Sequence, residues 1–120
     1  MKYIGLSVVW LFCCLGHAQS TELAITEFSQ KDENTGTLID VRTPTEYEAG
    51  FLENALNIDW FESGFVEKVE ALDISKDEPI YLYCKKGGRS TKAAQVLDSL
   101  GYQKVVNLIG GYDAYLSKKE

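Results

Sequence analysis

Histidine is almost absent from this chain, with one residue, His17, in 120. Cysteine is scarce as well: Cys13, Cys14 and Cys84 are the only thiols. Basic charge is outnumbered, with 12 Lys and Arg against 18 Asp and Glu and a formal charge of -6. Each scarcity excludes something. An acidic surplus argues against a general nucleic-acid binder, which carries a broad basic face. A chain this short closes one hydrophobic core and has no room for a second. Its apolar runs fall short of the roughly 20 residues that span a bilayer comfortably.

The first eighteen residues differ from the rest in composition. Lys2 gives a positive start, Tyr3 to Leu15 is mostly apolar, and Gly16-His17-Ala18 puts small residues at the two positions that determine cleavage. This is the pattern of a secretory signal peptide. We therefore expect residues 1–18 to be removed after Ala18, residues 19–120 to form the domain, and the product to be exported, periplasmic or secreted, with no stable membrane span. Cleavage would leave Cys84 as the only thiol and no imidazole at all. An intramolecular disulfide, Cys-His catalysis, a Ser-His-Asp triad and a His-based metal site are then excluded within the chain. No metal and no cofactor are expected. A lone thiol in an oxidising compartment tends to be reactive.

What the chain does have is Cys84-Lys85-Lys86-Gly87-Gly88-Arg89-Ser90, a thiol at the start of a basic, glycine-rich turn. Lys85, Lys86, Arg89 and Lys92 make the stretch from Cys84 to Lys92 wholly basic in an otherwise acidic chain. A strand-like run precedes it and a helix-like run follows. Positive surroundings favour a thiolate, and a turn into a helix N-terminus supplies them from side chains and from converging backbone N–H groups. Gly87 and Gly88 allow the backbone to curl, including positive φ, so that the N–H groups of Lys85 to Arg89 face one point. Lys85 and Lys86 are placed to attract an anionic donor. The planar fork of Arg89 suits either donor oxygens or a carboxylate that ties the loop down.

Along the chain, Leu23 to Ile25 reads as a short strand, followed by a helix capped at Thr26 and fading at Asn34 to Gly36. Thr37 to Val41 is a second strand. Thr43-Pro44-Thr45-Glu46 combines a cap, Pro at the first helical position and Glu three residues on, predicting a helix that ends near Gly50. Ala55 to Ile58 is a third strand, and Glu62 to Leu72 a helix with Phe65, Val69 and Leu72 on one face. Ile80 to Tyr83 is a fourth strand. Ser90 to Leu100 forms a helix burying Ala93, Ala94, Leu97 and Leu100, stopped by Gly101. Val105 to Leu108 is a fifth strand, and Gly110-Gly111 leads into a last helix holding Tyr112, Tyr115 and Leu116. Strands alternating with helices imply a single α/β domain. About five short, mainly parallel strands carry helices on both faces, with the site beyond a strand's carboxyl end.

In this order and spacing the chain resembles a single-domain rhodanese, over about Leu23 to Leu116. The marks are Asp40-Val41-Arg42, Glu46-Tyr47, Ala55 to Ile58, Cys84 to Ser90, and Leu108-Ile109-Gly110-Gly111-Tyr112. The resemblance implies a sulfurtransferase: Cys84 as nucleophile takes the sulfane sulfur of thiosulfate or a persulfide donor and passes it to cyanide or a thiol. The persulfide would rest on backbone N–H groups of the loop, with Lys85, Lys86, Gly87, Gly88 and Arg89 binding the donor; export, which exposes a reactive thiolate to oxidation, separately calls for a thiol reductant protein as a further partner. Departures exist. Gly50-Phe51-Leu52-Glu53-Asn54-Ala55 resembles the family's "GHIPGA", with Phe51, Glu53 and Asn54 replacing His, Pro and Gly, and Tyr115 stands where Trp is frequent. A non-enzymatic binding module or sulfur relay is the alternative. The related cell-cycle phosphatases have a longer loop; here four residues separate Cys84 from Arg89, which favours sulfur over phosphate.

Blander readings apply to the neighbours. Asp40 and Arg42 are expected to pin loops at the sheet's edge rather than to catalyse, Ser90 to be structural near the site, and Glu46 to cap. Phe51, Trp60, Phe61 and Tyr112 are core or rim. A P-loop reading fails because Arg89 holds the lysine position and Tyr83 the first glycine. A thioredoxin-type site fails for want of a second nearby cysteine.

Overall fold

The computed structural model describes residues 19–119. The expected signal peptide, with Cys13, Cys14 and His17, lies outside the described residues. Five strands alternate with helices: β1 (Thr21–Ala24), a 3-10 turn (Ile25–Glu27), α1 (Gln30–Glu33), β2 (Thr37–Asp40), α2 (Pro44–Ala49), β3 (Leu56–Asn57), α3 (Phe65–Glu70), β4 (Ile80–Tyr83), α4 (Gly88–Ser99), β5 (Val105–Ile109) and α5 (Gly111–Lys119). The sheet runs β1-β5-β4-β2-β3 and every pairing is parallel. None of the helices among the described residues is long and apolar enough to cross a membrane.

Alternation along the strands sorts the core into two halves, as the period of 2 requires. Ile39, Val41, Ile80, Leu82 and Cys84 point to one face and pack with Phe65 and Val69 of α3 and Ala93, Ala94 and Leu97 of α4. Leu38, Tyr81, Tyr83 and Leu108 point to the other, under Ile25, Tyr47, Tyr112 and Tyr115. Helices cover both faces, and all four residues of the central strand β4 are buried.

Local chemistry explains where the elements begin. Thr43 and Glu46 form a capping box, with Pro44 opening α2. The first helix differs from expectation: Ile25 is buried in a 3-10 turn, and Ser29, not Thr26, caps α1 through a capping box with Asp32. Strand β1 accordingly ends before Ile25. Helix α3 starts after Gly64, whose φ is 88°, and is shorter than expected; Leu72 lies beyond it at 38% exposed. Helix α4 begins two residues early, at Gly88, and Leu100 is also exposed. At the expected family departures, Asn54 adopts φ 70°, a left-handed conformation that Asn tolerates better than most residues. Phe51 stacks on Tyr47 at 4.0 Å.

Candidate active site

Cys84 is the first residue beyond β4, at the carboxyl end of the most buried strand, and is 1% exposed. Gly87, with φ 135°, turns the chain so that helix α4 points its N-terminus at the sulfur. The Gly87 N–H donates to Sγ at 3.1 Å and the Ser90 N–H at 3.4 Å. The first N–H groups of a helix lack partners within it, and this helix directs one of them to the thiol. Ser90 Oγ also lies 3.4 Å from Sγ and donates to the Gly87 carbonyl at 3.3 Å. A hydroxyl has one proton to give. With a thiol, S–H donates to Ser90 Oγ; with a thiolate, the hydroxyl proton turns to Sγ. Ser90, expected to be merely structural near the site, thus touches the sulfur twice.

Helix α5 fixes the loop from the other side. The Tyr112 N–H donates to the Cys84 carbonyl at 2.8 Å and the Asp113 N–H to the Lys85 carbonyl at 3.1 Å. Gly111 makes this approach possible: its φ is 63°, and a Cβ there would lie 2.6 Å from the Cys84 carbonyl oxygen and against that of Lys85.

The cations of the loop divide into paired and unpaired. Lys85 meets both carboxylate oxygens of Asp113 at 3.0 and 3.1 Å, on exposed side chains. Arg89 meets Glu46 as a fork, at 2.7 and 3.1 Å. Glu46 is therefore both a cap and the carboxylate that ties the loop down. The Arg89 hydrogen bonds, against a burial cost and with help from Thr43, hold its carboxyl down at about 2. Glu46 in turn raises Arg89. Lys86 and Lys92 meet no carboxylate among the described residues.

Asp40 and Arg42 are a buried pair. The Arg42 backbone N–H and its Nε both donate to Asp40 Oδ1 at 2.9 Å, and the guanidinium also reaches the Gly50 carbonyl at 2.7 Å. The guanidinium carbon lies 4.3 Å from the centre of the Tyr112 ring. Burial opposes the charge on Arg42, but the Asp40 hydrogen bond and charge outweigh it and raise the group above its usual value. Burial, then the charge of Asp40, pushes the Tyr83 phenol up. The pair ties the end of β2 to the loop after α2. Neither residue lines the pocket over Cys84.

That pocket, about 390 Å³, is lined by Trp60, Phe61, Lys85, Lys86, Gly88, Arg89 and Lys92, with Cys84 among them. Trp60 is set by its backbone N–H, which donates to the Val41 carbonyl at 3.0 Å, and by the T-shaped packing of its ring with Phe65. Phe61 stands 68% exposed. The described residues contain no cluster of three or more His, Cys, Asp or Glu placed to hold a metal ion. Sequence reasoning missed Asp113 as the partner of Lys85 and the Tyr112 ring beside Arg42, because nothing local marks either. The Glu46 spacing announced its cap but not its guanidinium.

Comparison with known proteins gives the setting of this site. A family model described as a rhodanese-like domain matches residues 24–118. The tRNA uridine(34) hydroxylase of Cronobacter sakazakii is 38% identical over 89 residues, which is 72% of this chain and 26% of that protein. The uncharacterized protein YqhL of Bacillus subtilis is 40% identical over 81 residues, 68% of this chain and 61% of that protein. The chain thus spans less than two thirds of either relative. Among solved structures, the human single-domain sulfurtransferase TSTD1 aligns with a TM-score of 0.65 at 25% identity, covering 86% of this chain and 99% of that one.

Proposed function

The chain belongs to the rhodanese-like domain family, and on that premise we propose that it is a sulfurtransferase carrying sulfane sulfur on Cys84 as a persulfide. One observation supports this above the others: the Gly87 and Ser90 N–H groups converge on a sulfur set at a helix N-terminus and reached through a pocket lined by cations. The Cys84 thiolate attacks the outer sulfur of thiosulfate. A bond forms between Sγ and that sulfur, the S–S bond of thiosulfate breaks, and sulfite leaves with the electron pair. Cyanide or an acceptor thiolate then attacks the terminal sulfur of the persulfide, and Sγ recovers its electron pair as thiolate. Splitting the transfer through a covalent intermediate makes each half easier, and the same N–H groups serve anionic sulfur in both.

Residues 1–18 support export of the enzyme, and outside the cytoplasm a thiol reductant protein would keep Cys84 from advancing along the oxidation ladder. The hydroxylase named among the relatives is about four times as long as the matched segment, and the acidic surplus of this chain does not favour tRNA as a partner. Steady-state formation of thiocyanate from thiosulfate and cyanide tests the proposal. It should be abolished in Cys84→Ser; equal rates in the two proteins would overturn it. A second reading, a sulfur relay or binding module, draws on the exposed Phe51 stacked over Tyr47 at a family departure. Single stoichiometric loading that discharges only to a protein would favour it, and rapid multiple turnover with small molecules would exclude it.

A further inference from the structure

Strand β5 reads Val-Val-Asn-Leu-Ile, and its one polar residue, Asn107, is 2% exposed between Leu82 of β4 and Glu22 of β1. An amide in such a place costs stability unless its groups are paired. Asn107 meets that condition by half. Its Nδ2 donates to Thr91 Oγ1 at 2.9 Å, while Oδ1 is buried and meets no donor among the described residues. A leucine of similar size would leave nothing unpaired, so stability does not account for Asn107. The bond to Thr91 does.

Thr91 passes that contact on to the Cys84 loop. Its hydroxyl donates to the Gly87 carbonyl at 2.7 Å, and its backbone N–H reaches the same oxygen at 3.0 Å. A carbonyl oxygen only accepts and a hydroxyl has one proton, so the Thr91 proton lies toward Gly87 and its oxygen receives from Asn107. The direction of the relay is thereby fixed. The two Thr91 donors match the two lone pairs of the Gly87 oxygen, and Ser90 Oγ is a third donor at 3.3 Å, the longest of the set. Ser90 is the surplus donor, and Sγ lies 3.4 Å from it. Building on the reading of Cys84 as the sulfur carrier, we propose that Asn107 and Thr91 are positioning residues for sulfur transfer. They fill the Gly87 carbonyl with the Thr91 proton and so release the Ser90 hydroxyl to anionic sulfur on Cys84, thiolate and persulfide alike. Neither lines the pocket over Cys84, so they act through Ser90. With the relay cut, the Gly87 carbonyl takes back the Ser90 proton and the sulfur loses a donor.

The test follows the rate of carbamidomethylation of Cys84 by iodoacetamide against pH, assigned to the residue by peptide mass, beside thiocyanate formation from thiosulfate and cyanide. The midpoint of the alkylation profile should rise by about one pH unit in Asn107→Leu and in Thr91→Val. In both, kcat/KM should fall by up to about tenfold. Thr91→Ser keeps the hydroxyl and should behave as the parent does. In a Ser90→Ala background neither substitution should move the midpoint further, because the relay works through that hydroxyl. The charged groups of the loop, Lys85, Lys86, Arg89 and Lys92, with Asp113 and Glu46 paired to two of them, are the same in every variant. Thr91 is exposed, so Thr91→Val keeps the measurement open where Asn107→Leu does not fold. A midpoint within about 0.2 units of the parent's in a folded variant, or a full further shift in the Ser90→Ala background, would overturn the proposal and leave the sulfurtransferase reading standing. A parent that transfers no sulfur while the midpoints shift as expected would overturn that reading and leave the relay as a control on thiol reactivity.

Discussion

Ser90 and Glu46 act on the loop through contacts that their positions in sequence only half announce. Among the described residues the Ser90 hydroxyl is the one side-chain donor within reach of Sγ, and it can turn from the Gly87 carbonyl to the sulfur when charge develops there. Ser90→Ala should therefore lower kcat/KM about tenfold, the usual cost of a lost hydrogen bond to a charged group, while the Gly87 and Ser90 N–H groups sustain residual activity. An unchanged rate would show that the hydroxyl never turns. Glu46 titrates from an ordinary 4.5 down to about 2 in the folded chain. Its contribution to stability is therefore complete above about 4.5 and is lost as the pH falls toward 2. Glu46→Gln should destabilise the protein at neutral pH, and the gap to the parent should narrow near about pH 3 in denaturant titrations. A constant gap would contradict the ion pair. Cys84 was legible in the sequence because its loop is contiguous. The partners of Lys85 and Arg89 lie 28 and 43 residues away, and no local pattern encodes that distance.

At the scale of elements, α4 is entered through the positive-φ Gly87 and α5 begins on the positive-φ Gly111, and the two meet at the Cys84 loop, so the site is built by two helix starts. Gly111→Ala would place a methyl group against the Cys84 and Lys85 carbonyls in a backbone conformation that L residues avoid. It should destabilise the fold by about 3 kcal/mol or more, seen as a drop in Tm. Gly87→Ala meets no neighbouring atom, so only backbone strain opposes it. A smaller drop is expected there, and equal effects would contradict the account of α5. Helix α2 was readable because Thr43, Pro44 and Glu46 all state the same start. Helix α1 was not, since Thr26 and Ser29 are both plausible caps and the burial of Ile25 decided between them.

For the whole molecule, parallel strands and helices on both faces followed from the alternation of element types, and the structure has both. The strand order did not follow, because periodicity reports which face a residue takes and not which strand lies beside it. That order puts β4 at the centre and Cys84 at its end, so the thiol is packed within the core yet opens into the pocket. Cys84→Ser is nearly isosteric and keeps the Gly87 N–H satisfied, so it should cost only about 1 kcal/mol of stability. Loss of activity in that variant would then report on chemistry alone. The most direct measurement of the central claim is the intact mass of the protein after incubation with thiosulfate. The account predicts a gain of one sulfur atom, mapped to Cys84, removed by cyanide and absent from Cys84→Ser. No gain of sulfur with thiosulfate or with organic persulfides, or a gain that persists in Cys84→Ser, would contradict it.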